Sequence, residues 1–143
     1  MFAYTMNNNP PVRAIIWDLD GMVIRINAKD GEMAVADLEA LVRFILALCQ
    51  DYNTTILGRQ SAMNAVPFAR FEELFLPMKE WRHDDYLSVV HRLEALPERA
   101  VVIAIDPLRL SEANRLGFLT IVFQNPRQAV SELLPMLAEP LAV

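Results

Sequence analysis

Two short runs constrain this chain more than any other feature. Arg13 to Asp18 carries Ala-Ile-Ile-Trp before its aspartate, and Ala100 to Ile105 reads Ala-Val-Val-Ile-Ala-Ile before Asp106. Both are short and rich in β-branched residues, and neither alternates with polar residues, so each reads as a strand covered on both faces. Sheets of such strands are parallel and have helices packed on either side. Each run nevertheless ends at a carboxylate, a group that avoids the interior unless something holds it there.

The rest of the chain supplies the covering helices. Met33 to Gln50 places Val35, Leu38, Leu41, Val42, Ile45, Leu48 and Cys49 on one wide helical stripe. Asn53 to Leu57 predicts a second strand closed by Gly58, and Phe71 to Leu76 a weaker third. A helix returns over Asp84 to Leu96 with Tyr86, Val90 and Leu93 turned inward. Asp106-Pro107 stops the strand at 100–105, and a short helix then runs from Ser111 to Gly117, a residue favoured just past a helix end. Phe118 to Phe123 is the fifth strand. Asn125-Pro126 reads as an N-cap followed by proline in the first turn of a last helix, which Pro135 ends or kinks. The expectation is a three-layer, Rossmann-like α/β domain spanning 1–143, with a five-stranded, mostly parallel sheet. Residues 1–11 form an N-terminal extension and 138–143 a tail. Ligands of such sheets bind beyond the carboxyl ends of the strands, where Asp18, Asp20, Gly58 and Asp106 fall.

Composition narrows the function classes. The net charge of −5 argues against a nucleic-acid partner held through its phosphates. No apolar run is long enough to span a bilayer, and the start of the chain lacks a signal-peptide pattern, so no membrane association is expected. The single cysteine, Cys49, fits a reducing cytoplasm and reads as core. Trp17 reads as core and Trp81 as a pocket border. His83 and His91 lack metal-ligand spacing. An apolar content of 54% is compatible with a homodimer.

The aspartates carry the chemistry. Residues two apart in an extended chain point to the same side, so Asp18 and Asp20 repel unless a proton or cation lies between them. Mg²⁺ suits oxygen ligands, and Asp106 supplies a further one. That set describes phosphoryl transfer: Asp18 attacks phosphorus, while Asp20 protonates the leaving oxygen and then activates water. The plainer reading makes Asp18 and Asp20 an acidic loop, Asp106 a helix cap beside Pro107, Gly58 a hinge, and Lys79 and Arg82 surface charges.

"IIWDLDGMVI" resembles the first motif of the haloacid dehalogenase superfamily, a hydrophobic strand followed by Asp-x-Asp-Gly. "PERAVVIAIDPLRLSEANRLGFLTIVF" is similar to its fourth motif with the helix and strand behind it, and "FQNPRQAVSELL" to the closing segment of its phosphatase-like branch. The resemblance runs from about Val12 to Leu137. It implies strand order 5-4-1-2-3, magnesium and phosphatase activity. By it Asp18 is the nucleophile and Asp20 the acid/base. Asp18, the Asp20 backbone carbonyl and Asp106 are the metal ligands. The second motif's Ser or Thr is replaced by Gly58, which keeps only a backbone N–H for phosphate, since Thr55 lies too early and Ser61 too late. Lys79 and Arg82 are the candidates for the third motif's cation. Leu110 stands where a second acid is common, with Glu112 the nearest, and Met22 stands where Thr is frequent. "RINAKDGE" leaves little room for a cap, which implies an open site.

The leading expectation is therefore a Mg²⁺-dependent phosphatase acting on an unidentified phosphate ester. The alternative is a catalytically degenerate relative serving as a binding or regulatory module. A receiver-type phospho-acceptor fits poorly, because its acceptor would fall in "ELFLPMKEW" after the third strand.

Overall fold

The two apolar runs lie side by side. The structure, a computed structural model, describes residues 12–19, 24–25, 33–58, 75–77 and 85–137. In chain order these form β1 (Ala14–Asp18), β2 (Ile24–Arg25), β3 (Met33–Ala34), α1 (Val35–Leu48), β4 (Asn53–Gly58) and β5 (Phe75–Pro77). They continue through α2 (Asp85–Arg92), β6 (Ala100–Ala104), α3 (Pro107–Arg115), β7 (Leu119–Val122) and α4 (Pro126–Leu133). Central β1 pairs in parallel with β4, from Ala14↔Asn53 to Asp18↔Leu57, and with β6, from Ala14↔Ala100 to Asp18↔Ala104. Every residue of β1 and β6 is buried, as their unbroken apolar character requires.

The body of the sheet runs β4-β1-β6-β7, and β5 extends the β4 edge. Of the weaker third strand expected over Phe71 to Leu76, the described part is β5, Phe75–Pro77, paired with Ile56–Gly58, while positions 71–74 lie outside the described residues. Proline suits an edge position because it lacks the N–H that an inner strand must donate. The chain-order third strand thus lies outside β4 and not against β1, unlike the order of receiver-type sheets. A separate ribbon pairs β2 with β3 just before α1, so that Met33–Ala34, expected to open the helix, is extended and the helix begins at Val35.

Strand alternation sorts the core into two layers. Ile15, Trp17, Val101 and Ile103 face one side, under Leu41, Val42 and Ile45 of α1 and Ala129 and Leu133 of α4. Ala14, Ile16, Val102 and Ala104 face the other, under Tyr86, Val89 and Val90 of α2 and Leu110 and Ala113 of α3. Trp17 meets Phe44 edge to face, and its buried indole N–H has no acceptor among the described residues. Period two assigns Asp18 to the α2/α3 layer. That assignment decides what can reach its carboxylate.

Helix ends follow local chemistry. Asn125 and Gln128 form a capping box at the start of α4, with Pro126 in the first turn. The same Asp/Asn-Pro signal opens α3. Asp106 accepts from the Leu108 N–H at 2.9 Å, so the helix begins at Pro107 and not at Ser111. α3 closes in a Schellman motif, with Gly117 at φ +102°, Gly117 N–H on Asn114 O and Phe118 N–H on Ala113 O. α2 closes in the same motif, with Glu94 N–H on His91 O and Ala95 N–H on Val90 O, and is therefore shorter than the expected Asp84 to Leu96. There the left-handed position is filled by Glu94, at φ +55°.

A side chain at that φ costs about 1 kcal/mol that glycine avoids. Glu94→Gly is expected to stabilise the fold by roughly 0.5–1 kcal/mol, net of glycine's greater freedom in the unfolded chain. Gly117→Ala is expected to destabilise it by a similar amount, because the added Cβ meets only Pro97 at an ordinary 3.7 Å and the cost is backbone strain alone. Urea midpoints at unchanged m-value read both effects.

Candidate functional site

Asp18 ends β1 at the carboxyl rim of the sheet and is 1% exposed. A carboxylate so placed is costly unless charge and hydrogen bonds replace its water. Two elements of its layer provide them. Tyr86, in the first turn of α2, donates its hydroxyl to Asp18 Oδ2 at 2.5 Å. Its ring is fully buried and packs edge-on against Phe118, with centroids 6.1 Å apart. Arg109, in the first turn of α3, donates Nη1 to Oδ1 at 3.3 Å and to Oδ2 at 3.2 Å. The guanidinium is itself almost buried, with a side chain 11% exposed.

Arg109 also faces Asp106, with Nε 3.9 Å from Oδ2. One guanidinium therefore stands between the two aspartates that end the apolar runs. Its location runs against the helix dipole. A cation in the first turn of a helix is disfavoured by about 0.3–1 kcal/mol. Pairing with a buried carboxylate outweighs that, since breaking such a pair from one side typically costs about 3–5 kcal/mol.

The expected metal site can be tested against this geometry. Asp106 lies two residues beyond Ala104, the β6 residue in register with Asp18, and its half-exposed side chain is engaged in capping α3. Leu110, where the resemblance puts a second acid, is buried in the α2/α3 core layer. Glu112 pairs with Arg115 on α3. Among the described residues no group of three or more His, Cys, Asp or Glu could hold a metal ion. A unit charge about 4 Å from a guanidinium is repelled by roughly 4 kcal/mol at an effective dielectric of ~20, and a divalent ion by about twice that. The described residues do not fit a divalent cation while Arg109 occupies this place.

The other expected site residues separate by location. Gly58 is the last residue of β4, one beyond Leu57, the register partner of Asp18. Asp20, Lys79 and Arg82 lie outside the described residues, as do Trp81 and His83. His91 is exposed, and half-buried Cys49 donates its thiol to Ile45 O at 3.1 Å, with burial raising its pKa. Sequence reasoning placed Tyr86 in the core and gave Arg109 no role. Arg109 carried a usable signal, because a cation three residues after an Asp-Pro cap needs a nearby carboxylate.

No family model matches the chain, and no curated protein matches it in sequence. Solved structures match in shape. An uncharacterized protein from Corynebacterium glutamicum aligns with a TM-score of 0.66 at 13% identity, over 91% of this chain and 99% of that one. A predicted HAD-like family hydrolase from Porphyromonas gingivalis aligns with a TM-score of 0.58 at 18% identity, over 91% and 100%. A 3-deoxy-D-manno-octulosonate 8-phosphate phosphatase candidate from Vibrio cholerae aligns with a TM-score of 0.50 at 15% identity, over 86% and 81%. At these identities the likeness speaks to fold. No helix among the described residues is long and apolar enough to cross a membrane.

The Tyr86 hydroxyl titrates far above its ordinary range, first because it is buried, then because Asp18 beside it is negative and accepts its proton. The unfolded chain loses that proton near pH 10. An acid whose folded pKa is raised stabilises fully below the unfolded value, and the contribution falls as pH rises through it. Wild-type stability is therefore expected to fall above pH ~10 by up to about 1.4 kcal/mol per pH unit more steeply than that of Tyr86→Phe. At neutral pH the variant is expected to be less stable by about 1.5–3 kcal/mol, the usual worth of a hydrogen bond to a charged group. Denaturant melts across pH measure both.

Proposed function

We propose that this chain, which has the fold of the haloacid dehalogenase-like hydrolases and phosphatases, is a phosphatase-type scaffold without turnover that serves as a binding or regulatory module. The surroundings of Asp18 carry this reading. A nucleophilic carboxylate needs an oxygen that can approach phosphorus in line, with positive charge placed on the phosphate oxygens. Here Asp18 is enclosed, Oδ2 accepts from Tyr86, and both oxygens accept from Arg109. Among the described residues, the positive charge at this rim, Arg109, is spent on the nucleophile.

Magnitudes support the same conclusion. A hydroxyl at Gly58 would give a charge-assisted hydrogen bond worth about 1.5–3 kcal/mol, or roughly 10- to 150-fold in rate. Loss of metal stabilisation of the developing charge removes several kcal/mol more. Each 1.4 kcal/mol is about tenfold, so the two losses together amount to roughly 10⁴-fold or beyond.

A hydrolytic reading has one specific support: Asp18 ends the central strand at the rim where α/β sheets hold their ligands. In that reading Asp18 attacks the phosphorus of a phosphate ester. Asp20 protonates the leaving oxygen and then activates the water that splits the aspartyl-phosphate. The Gly58 N–H and Lys79 or Arg82 hold the phosphate. Arg109 would first have to release Asp18.

Release of p-nitrophenol from p-nitrophenyl phosphate, and of phosphate from a panel of sugar and nucleoside phosphates, separates the two. Wild type and Asp18→Asn are expected to show the same background rate with and without MgCl₂. Release that depends on Asp18 under either condition refutes the proposal and establishes the hydrolase.

A further inference from the structure

We infer that Arg109 is a resident cation, occupying the place between Asp18 and Asp106 where a divalent ion would otherwise sit, so that the buried charge of Asp18 is met without metal. The inference rests on the closed state of Asp18 proposed above and goes further, since it concerns what neutralises the site and not whether the site turns over.

Three observations converge. Arg109 contacts both oxygens of Asp18 and reaches toward Asp106 on its other edge, so a single group serves two carboxylates from different strands, as a bridging ion would. Arg109 is held almost out of water at the positive end of α3, a position that a cation tolerates only where anions compensate it. Among the described residues, two neighbours of the pair are apolar: Ala104 in register with Asp18, and Leu110 next along α3, both in the core. Among the described residues both carboxylates are thus engaged by one charge-delocalised organic cation, and a divalent ion, which needs only one or two carboxylates beside its waters, could enter only in place of the guanidinium. A guanidinium also suits the task chemically. It stays charged at every relevant pH, presents a planar fork of donors to carboxylates, and loses less hydration on burial than an ammonium.

Two consequences follow. The folded protein should be indifferent to divalent ions and chelators. Removing Arg109 should leave Asp18 and Asp106 facing a gap that a divalent ion can fill, converting an indifferent site into a responsive one. A merely structural ion pair predicts destabilisation on truncation but no metal response.

The test is thermal unfolding of the full chain in EDTA or in about 10 mM MgCl₂, for wild type, Arg109→Ala, Arg109→Lys and Asp18→Asn/Arg109→Ala. Wild type and Arg109→Lys are expected to melt at the same temperature in both buffers. Arg109→Ala is expected to melt lower in EDTA and to recover by about 4 °C or more in MgCl₂, the shift given by binding at roughly tenfold over Kd. The double variant, with no buried charge to satisfy, is expected to fold and to ignore the metal. A wild-type melting point that rises in MgCl₂ and loses the rise in Asp18→Asn overturns the inference, as does a folded Arg109→Ala that ignores MgCl₂. Should Arg109→Ala not fold in either buffer, MnCl₂ titrated into wild type decides. Paramagnetic loss of the Asp18, Leu19 and Ala104 amide signals overturns the inference, and their persistence supports it. Asp18-dependent phosphate release by wild type in EDTA would end the non-hydrolytic reading yet leave this inference standing. An inert wild type that binds Mn²⁺ at Asp18 would do the reverse.

Discussion

An ionised side chain at the end of a strand dry on both faces has only a few physical outcomes. It can be hydrated at the rim, neutralised by a proton, bound to a metal, or paired within the protein. Among the described residues Asp18 is paired within the protein, and much of the local structure depends on that pairing. The hydroxyl of Tyr86 fixes the first turn of α2 against β1, and the guanidinium of Arg109 fixes the first turn of α3 against the same residue. Both helices of one layer are therefore pinned at one carboxylate. Breaking that knot from one side leaves the other groups buried and uncompensated, so its members are expected to behave as a unit in mutagenesis.

The same knot bears on how far fold alone can speak for function here. The strand alternation describes a Rossmann-like sheet, and shape matches to a predicted HAD-like family hydrolase and a phosphatase candidate, each over more than four-fifths of the chain, agree in fold. A scaffold can keep its topology while individual side chains at the rim are reassigned. Asp106 remains an aspartate at the end of a strand, yet its work is to cap α3. Leu110 remains on the right helix, yet it belongs to the core.

What was legible in the sequence follows the range of the forces involved. The strands β1 and β6 were evident because apolar runs without alternation have no exposed face in any arrangement. The caps at Asn125 and Gly117 were evident because capping is decided within four residues. The start of α3 was misplaced although Asp106-Pro107 carries the same signal as Asn125-Pro126, since the pair was read first as a strand terminator and its reading as a helix cap stood only as the plainer alternative. The end of α2 at Glu94 had no local mark, because the chain places a residue other than glycine in the left-handed position that closes the helix. Phe71 to Leu76 read only as a weaker strand, because pairing at an edge, described here over Phe75–Pro77, depends on a neighbour that periodicity cannot see. The Asp18–Tyr86–Arg109 cluster joins residues 68 and 91 positions apart. Only the misfit of an arginine in a first helical turn hinted at it.

One contact at the opposite pole of the sheet bears on this cluster. Asn53, the first residue of β4, donates its side-chain amide to Leu93 O at 2.8 Å and so ties that strand to the far end of α2. Tyr86 is moored to the sheet at one end of the helix and Leu93 at the other, with roughly 10 Å of helix between them at 1.5 Å per residue. The helix is thereby a strut fastened at both ends. A ligand or modification that lifted the Leu93 corner would act on Asp18 through lever mechanics, without touching it.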